Sequence, residues 1–284
     1  MASNPAFNRM EQDAQSGYAA FQEPGRGANP GNVSYAQQAG VDAYSQQQLQ
    51  DMYNQPSAGP VDTGRVTMDD VIMKTMGLFA LVLGFGAVGW VVSAANPQIG
   101  FMLWMGGMIA TLILGLVIAF KKTLSVPLIV GYAVVEGLFV GAVSQFFEQQ
   151  WDGVVPLAAM ATAGTFIGMF LAYKVGLIKV TAKFRRIVTM MIFGYAIFAV
   201  INFIFAMVTN TPFGFGGTGW LGIGISLFAV GLASVSLALD FDMIERAIAT
   251  GAPQKYSWLL AHGLIVTVVW LYIEFLRLFA RMRE

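Results

Sequence analysis

Seven apolar segments, each long enough to cross a bilayer, follow one another between Thr75 and Phe279. A helix needs roughly 20 residues to cross the hydrocarbon core, and none of the segments alternates as an outer-membrane strand would. Because lipid offers no partner to backbone N–H and C=O groups, we expect each segment to be a transmembrane helix. The predicted spans are Thr75 to Ala95, Phe101 to Phe120, Val126 to Phe147, Val154 to Tyr173, Ile187 to Val208, Trp220 to Leu239 and Trp258 to Phe279.

The composition is that of a chain mostly embedded in lipid. Of its 284 residues, 56% are hydrophobic and 11% are charged, far from the values of soluble globular proteins. The formal net charge is zero, which gives no indication of a nucleic-acid partner. Cysteine is absent, which excludes disulfides, thiolate metal sites and cysteine nucleophiles. Frequent glycine inside the apolar runs predicts close packing of the helices.

Residues 1 to 65 differ from the rest of the chain because they are rich in Gln, Ala, Gly, Ser and Asn and lack apolar periodicity. Such a segment cannot bury enough apolar surface to fold, so we predict a disordered polar N-terminal tail. The predicted domains are this tail, residues 1 to 65, and a seven-helix transmembrane domain, residues 66 to 284. No cleavable signal peptide is recognisable, and we expect the first span to act as an uncleaved signal.

Lysine and arginine are concentrated in alternate connections between the spans. They follow spans two, four and six, at Lys121, Lys122, Lys174, Lys179, Lys183, Arg185, Arg186, Arg246 and Lys255. By the positive-inside rule, these connections and the N-terminus are expected in the cytoplasm. Seven crossings would then place Arg277, Arg281 and Arg283 outside. Either a short basic tail is tolerated there, or the last segment does not fully cross.

Three acidic residues, Asp240, Asp242 and Glu245, directly follow the sixth apolar run. No helix breaker precedes Gly251, so we predict that the sixth helix continues to about Thr250. Asp240 would then lie roughly 15 Å inside the helix end. An ionised carboxylate at the centre of a span costs at least about 2.5 to 3.5 kcal/mol, so such a group normally faces a water-filled cavity or a partner.

The spacing of these acids gives them different roles. Asp242 and Arg246 are separated by one helical turn and are predicted to form a salt bridge at the inner face. Asp240 lies on nearly the opposite side of the helix, where that pairing cannot reach it. Asp240 is therefore the first candidate for ion binding or pH sensing, and Asp242 is a second.

Three further polar side chains interrupt the apolar runs. Glu136 lies near the middle of the third span, where either a functional role or a helix-to-helix hydrogen bond of the protonated acid would explain it. His262 is expected at a depth similar to that of Asp240, so the two could touch, although a structural hydrogen bond is the alternative. Glu274 could serve a function or form a local pair with Arg277.

Carboxylates inside a membrane protein suit two kinds of ligand. Ca²⁺ prefers several oxygen ligands, and Asp240 and Glu136 are the candidate metal ligands. Protons need only carboxylates that influence each other strongly. The sequence leaves Ca²⁺ and H⁺ open as alternatives, and no other cofactor is expected.

Several enzyme classes are disfavoured by missing motifs. No lysine follows Lys255, so the last span cannot carry a retinal Schiff base. The chain has no P-loop and no H-E-x-x-H pair. Ser234 and Ser236 with His262 could imitate a hydrolase, but no motif exposes a nucleophile, and serines in spans commonly bond their own backbone. We therefore expect a protein that is not an enzyme.

The stretches "LDFDMIERAIATGAPQKYSW", "HGLIVTVVWLYIEFLRLFARM" and "YAVVEGLFVGAVS" resemble the Bax inhibitor-1 family, in particular its bacterial YccA-like branch with a Gln-rich N-terminal tail. The resemblance covers about residues 68 to 284. It implies six helices packed around a central C-terminal helix, in a bacterial inner membrane. It also implies a Ca²⁺ leak that is gated by pH through one carboxylate on the sixth helix and one on the seventh.

The resemblance assigns the first carboxylate to Asp240, with Asp242 as a near alternative. The second matches Glu274 in "LYIEF", at a longer spacing than in the family pattern. An alignment without that insertion places Val266 at the site, in which case Asp240 would work with Glu136 or His262.

These observations predict a multi-pass membrane protein that acts as a pH-sensitive cation leak channel, with Ca²⁺ as the expected ion, or as a regulator of ion homeostasis. Its intramembrane carboxylates would act as ligands and as a proton-sensitive latch. The alternative is a scaffold that does not conduct ions and binds membrane proteases or other membrane proteins through its tail and loops.

Overall fold

Seven long helices make up nearly all of the described chain. A computed structural model describes residues 64–121, 123–211 and 213–284. Its helices are α1 (Met68–Ala95), α2 (Pro97–Phe120), α3 (Val126–Gln150), α4 (Val154–Lys174), α5 (Ala182–Thr209), α6 (Trp220–Ala249) and α7 (Ser257–Arg283). Each is long and apolar enough to cross a membrane, so the prediction of an all-α protein with seven spans is confirmed. The predicted tail before residue 64 and Lys122 lie outside the described residues.

Several helices extend beyond the apolar runs that predicted them. The first helix begins at Met68, where the Thr67 hydroxyl accepts a hydrogen bond from the N–H of Asp70. Asp69 and Asp70 occupy the first turn, where acidic side chains stabilise the positive end of the helix dipole. The apolar run predicts the part of the helix inside the hydrocarbon core, whereas capping residues determine where the helix begins.

The C-terminal helix α7 lies at the centre of the bundle. It packs against α1, α3, α4 and α6, and its Trp270 ring stacks on Tyr195 of α5 at 5.8 Å between ring centroids. The remaining helix, α2, packs mainly against α3 and α1. The central position of the C-terminal helix, which the family resemblance implies, is therefore confirmed, with α2 on the outside of α3 and α1.

Glycines bring α1 and α3 into close contact. A Cβ atom at Gly141 would overlap the carbonyl oxygen of Gly86, and a Cβ atom at Gly89 would overlap that of Leu138. Only residues without a side chain allow two helices to approach so closely. This contact gives α3 a firm position beside the central helix, and α3 carries Glu136.

The two sides of the bundle can be told apart by their connections. Residues 64–67, the start of α1 and the connection between α6 and α7 share one side, called here the N-side. There the N–H of Val66 donates to the Ala252 carbonyl at 2.8 Å, and the N–H of Gln254 donates to the Gly64 carbonyl at 2.7 Å. The segment that leads into the first helix is thus hydrogen-bonded to the α6–α7 turn.

The C-terminal arginines lie toward the opposite side, called here the far side. Arg281 is buried, and its guanidinium donates to the Gly222 carbonyl and to Ser226 Oγ, at 2.5 and 2.6 Å. Arg283 donates to the Asp152 carbonyl in the α3–α4 connection. The last helix is therefore long enough to cross completely, and these two arginines hold far-side loops and helix ends in place.

Candidate functional site

Asp240 lies inside α6, about 15 Å before its end, because no residue between Trp220 and Ala249 interrupts the helix. The hydroxyl of Thr267 on α7 lies beside its carboxyl. Oδ2 is buried and has no hydrogen-bond partner among the described residues. The residue is partly buried, but this oxygen is shielded by protein, and Asp240 is called here an enclosed acid. It lies between the sixth helix and the central one.

Glu136 is a second enclosed acid, 3% exposed, on α3. The Tyr132 hydroxyl, one turn earlier, donates to Oε1 at 2.9 Å. Oε2 is buried and has no partner among the described residues. The Tyr132 ring packs edge-on against the imidazole of His262 on α7, with 4.4 Å between ring centroids. Glu136 and Tyr132 thus form a small polar cluster beside the central helix.

Asp240 and Glu136 lie at similar depth on different faces of α7. Counted along their helices at 1.5 Å per residue, Asp240, Glu136 and Thr267 are each about 15 Å from the N-side ends. Thr267 faces Asp240 whereas His262 faces Tyr132, and five residues along a helix correspond to a rotation of about 140°. The two candidate metal ligands therefore lie next to different residues of the central helix. Asp240 lies beside Thr267, and Glu136 lies beside the contact of Tyr132 with His262.

Thr267 of α7 lies beside Asp240, whereas the ring of His262, the neighbour considered from the sequence, packs on Tyr132. The connection between Thr250 and Ser257 contains a 3-10 turn, Gln254–Tyr256, and is bonded to residues 64–66. These residues lie between the end of α6 and the start of α7 at Ser257. The central helix therefore starts later than a tight turn at Gly251 would allow, and His262 lies nearer the N-side.

Asp242 and Glu245 are anchored at the N-side face. Asp242 Oδ2 accepts hydrogen bonds from Arg246 at 2.8 Å, as the helical spacing predicts, and from Arg185 of α5 at 2.9 Å. Glu245 accepts from the Tyr173 hydroxyl of α4. Asp242 is thus paired with two arginines and connects α5 to α6, as the predicted inner-face salt bridge with Arg246 requires.

Glu274 is a third enclosed acid, 2% exposed, in the far-side half of α7. Its Oε1 accepts from Tyr195 at 2.7 Å, from Trp270 Nε1 at 3.1 Å and from Arg277 at 3.5 Å. Two helical turns separate Glu274 from Thr267, the partner of Asp240. The carboxylate pair that the resemblance implies, Asp240 with Glu274, is therefore not in direct contact here.

Val266, which an alignment without an insertion would place at the second carboxylate, packs partly buried in the apolar cluster at α1 and α3. Its neighbour Thr267 faces Asp240 instead. A threonine hydroxyl thus occupies the place where the resemblance implies an acid. Threonine inside an apolar span is common, so the sequence alone carries no signal that would single out Thr267.

The structure shows neither a cluster of metal ligands nor a hydrolase-like serine site among the described residues. Within residues 64–121, 123–211 and 213–284, no group of three or more His, Cys, Asp or Glu side chains could hold a metal ion. Ser234 and Ser236 donate to carbonyls of their own helix, at 2.7 and 2.8 Å, while His262 faces α3. The arrangement of these serines therefore offers no activated nucleophile.

Comparison with known proteins adds one finding. A family model described as Bax inhibitor 1 like matches residues 4–284, which include all seven helices and the three enclosed acids. A search of curated proteins returns no match.

Proposed function

This chain belongs to the Bax inhibitor 1 like family, and we propose that it is a pH-sensitive leak for cations, with Ca²⁺ as the expected ion, or a regulator of ion homeostasis. The distribution of lysine and arginine supports a bacterial inner membrane with a cytoplasmic N-terminus as its location. The role is not enzymatic. Lipid, Ca²⁺ and H⁺ are the expected partners.

One observation carries this proposal: Asp240 and Glu136 each have a buried carboxyl oxygen without a partner in the described residues, about 15 Å below the N-side helix ends. A buried acceptor without a donor costs about 1 to 3 kcal/mol, and an unpaired ionised carboxylate costs more. Water or a cation that entered between the helices would relieve that cost. Two such acids beside the same central helix therefore suit a protein that admits ions.

The contact between Asp240 and Thr267 supplies a proton-sensitive latch. A threonine hydroxyl has one proton to donate, and Thr267 Oγ1 donates to the Gly263 carbonyl at 3.2 Å. While Thr267 donates its proton to Gly263, its oxygen can still accept a hydrogen bond. Asp240 can supply that bond only when its carboxyl is protonated. When Asp240 is ionised, Thr267 must turn its proton from Gly263 to the carboxylate.

The latch thus couples the charge of Asp240 to the packing of α6 on α7. Protonated Asp240 keeps the contact dry, with both hydroxyl bonds satisfied. Ionised Asp240 brings a charge into an apolar interface, where the free oxygen favours entry of water or a cation. In this mechanism Asp240 acts as both the sensor and a ligand, and Thr267 positions it.

The test is Ca²⁺ flux from proteoliposomes across a pH series. We expect flux to change with pH in the unmodified chain. Asp240→Asn, which imitates the neutral acid, should hold flux at its acidic level at every pH, and Glu136→Gln should weaken the pH response. Asp69→Asn is the matched control, because this exposed acid lies on the first turn of α1.

Two outcomes would contradict the proposal. Unchanged flux and pH response in Asp240→Asn would rule out the latch. Absence of flux from a correctly folded, unmodified chain would favour the scaffold that binds membrane proteases or other membrane proteins.

A further inference from the structure

A long groove opens between α1 and α4, and neither Asp240 nor Thr267 lines it. Both helices pack on α7, which forms the floor through Leu264 and Val268. The cavity has a volume of about 1440 Å³, larger than the roughly 300–1,000 Å³ of most small-molecule pockets. It reaches from Met68 on the N-side to Trp90. This length corresponds to about 33 Å of helix, which is the thickness of the hydrocarbon core.

The walls of the groove are apolar and accessible from the lipid. Phe79 and Leu83 contribute from α1, and Phe166 and Ile167 contribute from α4. Leu83 and Ile167 are 59% and 56% exposed at the two rims. The groove is therefore a cleft in the side of the bundle, continuous with the surrounding bilayer.

The N-side end of the groove is cationic. Lys174 and Lys179 line it and are exposed, and their ammonium groups form no ion pair or hydrogen bond within the described ranges. The two acids at the same end are already engaged, Asp242 by Arg185 and Arg246 and Glu245 by Tyr173. Two positive charges at the lipid–water boundary thus stand above an apolar channel.

We infer that this groove binds the acyl chains of an anionic phospholipid, whose phosphate is held by Lys174 and Lys179. Basic pockets between transmembrane helices suit anionic headgroups, and each lysine near such a surface strengthens binding by about fivefold. A transmembrane helix of 20 residues, about 10 Å wide and 30 Å long, would need on the order of 2,400 Å³. Flexible acyl chains fit the cavity, whereas a helix would protrude from it.

The test measures retained lipid by native mass spectrometry on the full chain. The probes are phosphatidylglycerol and phosphatidylcholine with identical acyl chains, and inorganic phosphate alone. Paired variants remove two positive charges each: Lys174→Gln with Lys179→Gln at the groove, and Lys183→Gln with Arg186→Gln as the control on the same side. We expect the first pair to reduce the preference for phosphatidylglycerol about 25-fold, fivefold for each lysine, and the control pair to keep it.

A second pair of variants tests the apolar groove. Ala163 lines the cavity from α4 and is exposed, whereas Ala196 is exposed on α5 away from it. Ala163→Trp should reduce retention of both lipids severalfold, and Ala196→Trp should leave it unchanged.

Three results would overturn the inference. If both double variants lost the preference for phosphatidylglycerol equally, the preference would come from the overall positive charge of this surface and not from the groove. Unchanged retention in Ala163→Trp, or a changed oligomeric state without lipid loss, would show that acyl chains do not occupy the groove. Competition by inorganic phosphate as strong as that by phosphatidylglycerol would show an anion site without a lipid.

Discussion

At the scale of single residues, the hydroxyl of Thr267 connects the central helix to the enclosed acid of α6. Two acceptors lie within its reach, the Gly263 carbonyl and the Asp240 carboxyl, and it has one proton to share. Its arrangement therefore depends on whether Asp240 carries a proton. This dependence is the smallest part of the proposed mechanism, and a substitution that removes only the hydroxyl can test it.

Thr267→Val keeps the shape of the side chain and leaves the Asp240 carboxyl without its partner. We expect the free energy of unfolding to fall by about 1 to 3 kcal/mol, because a buried polar group then lacks its bond. Thermal unfolding in detergent measures the change. Thr162→Val is the control, since the buried Thr162 hydroxyl donates only to the carbonyl of Ala158 in its own helix.

A double variant separates loss of the bond from loss of packing. Asp240→Leu combined with Thr267→Val removes both polar partners and should be less destabilised than Thr267→Val alone. Equal effects of Thr162→Val and Thr267→Val would show that Asp240 does not depend on Thr267.

Local spacing predicted some residue pairs and not others. The bond of Arg246 to Asp242 follows from a separation of one turn on the same helix. The contacts of Thr267 with Asp240, and of Tyr195 with Glu274, join helices that are far apart in the chain. Whether such residues meet depends on how each helix is rotated about its own axis. A helix that is apolar on all sides gives no sequence pattern from which that rotation could be predicted.

At the scale of helices, the closest contact joins α1 and α3. Their glycines let backbone meet backbone, in the part of the bundle that contains Glu136. In lipid such contacts stabilise mainly through van der Waals packing, because there is no hydrophobic effect between the helices. A single added methyl group should therefore separate them.

Gly141→Ala places a Cβ atom against the carbonyl of Gly86, and Gly131→Ala on the same helix places one in open space. We expect Gly141→Ala to lower the free energy of unfolding by about 1 to 3 kcal/mol through overpacking. Gly131→Ala should be neutral or slightly stabilising, because alanine favours helix. Thermal unfolding compares the two, and identical midpoints would mean that α1 and α3 are not in close contact.

The turn between α6 and α7 shows where sequence reasoning succeeded and where it failed. The end of α6 before Gly251 was predictable, because glycine there ends the helix in a left-handed conformation, with φ of 64°. The depth of α7 was not, because the turn is lengthened by a pairing with residues 64–66. That pairing joins distant parts of the chain and leaves no local pattern.

Gly251→Ala tests the backbone of this turn. A left-handed conformation costs a residue with a Cβ atom roughly 1 to 2 kcal/mol, and the new atom would also approach the Arg65 side chain at 3.3 Å. We expect a lower unfolding midpoint than for Gly231→Ala, whose added atom meets open space on α6. A midpoint equal to that of Gly231→Ala would show that the turn relaxes without cost.

At the scale of the whole molecule, hydropathy alone predicted the number and order of the helices. It could not explain the basic C-terminus. Arg281 and Arg283 are bound to protein groups at the far-side ends of α6 and the α3–α4 connection. The positive-inside rule counts charges in loops, whereas these two arginines are bound to protein groups, so they are weak evidence for the side on which the C-terminus lies.

The proposed orientation can be tested because the chain contains no cysteine. Gln98→Cys places a thiol in the far-side α1–α2 region, and Lys183→Cys places one on the N-side. With a membrane-impermeant maleimide on intact cells, we expect Gln98→Cys to react and Lys183→Cys to react only after permeabilisation. The reverse pattern would contradict a cytoplasmic N-terminus.

The hydrogen bonds of Gly64 and Val66 to the α6–α7 turn have a mechanical consequence. A force applied to the chain before Gly64 would act first on this turn and only then on the helices. The turn joins the two helices that carry Asp240 and Thr267. A force on the N-terminal segment would therefore be transmitted to the contact between these two residues.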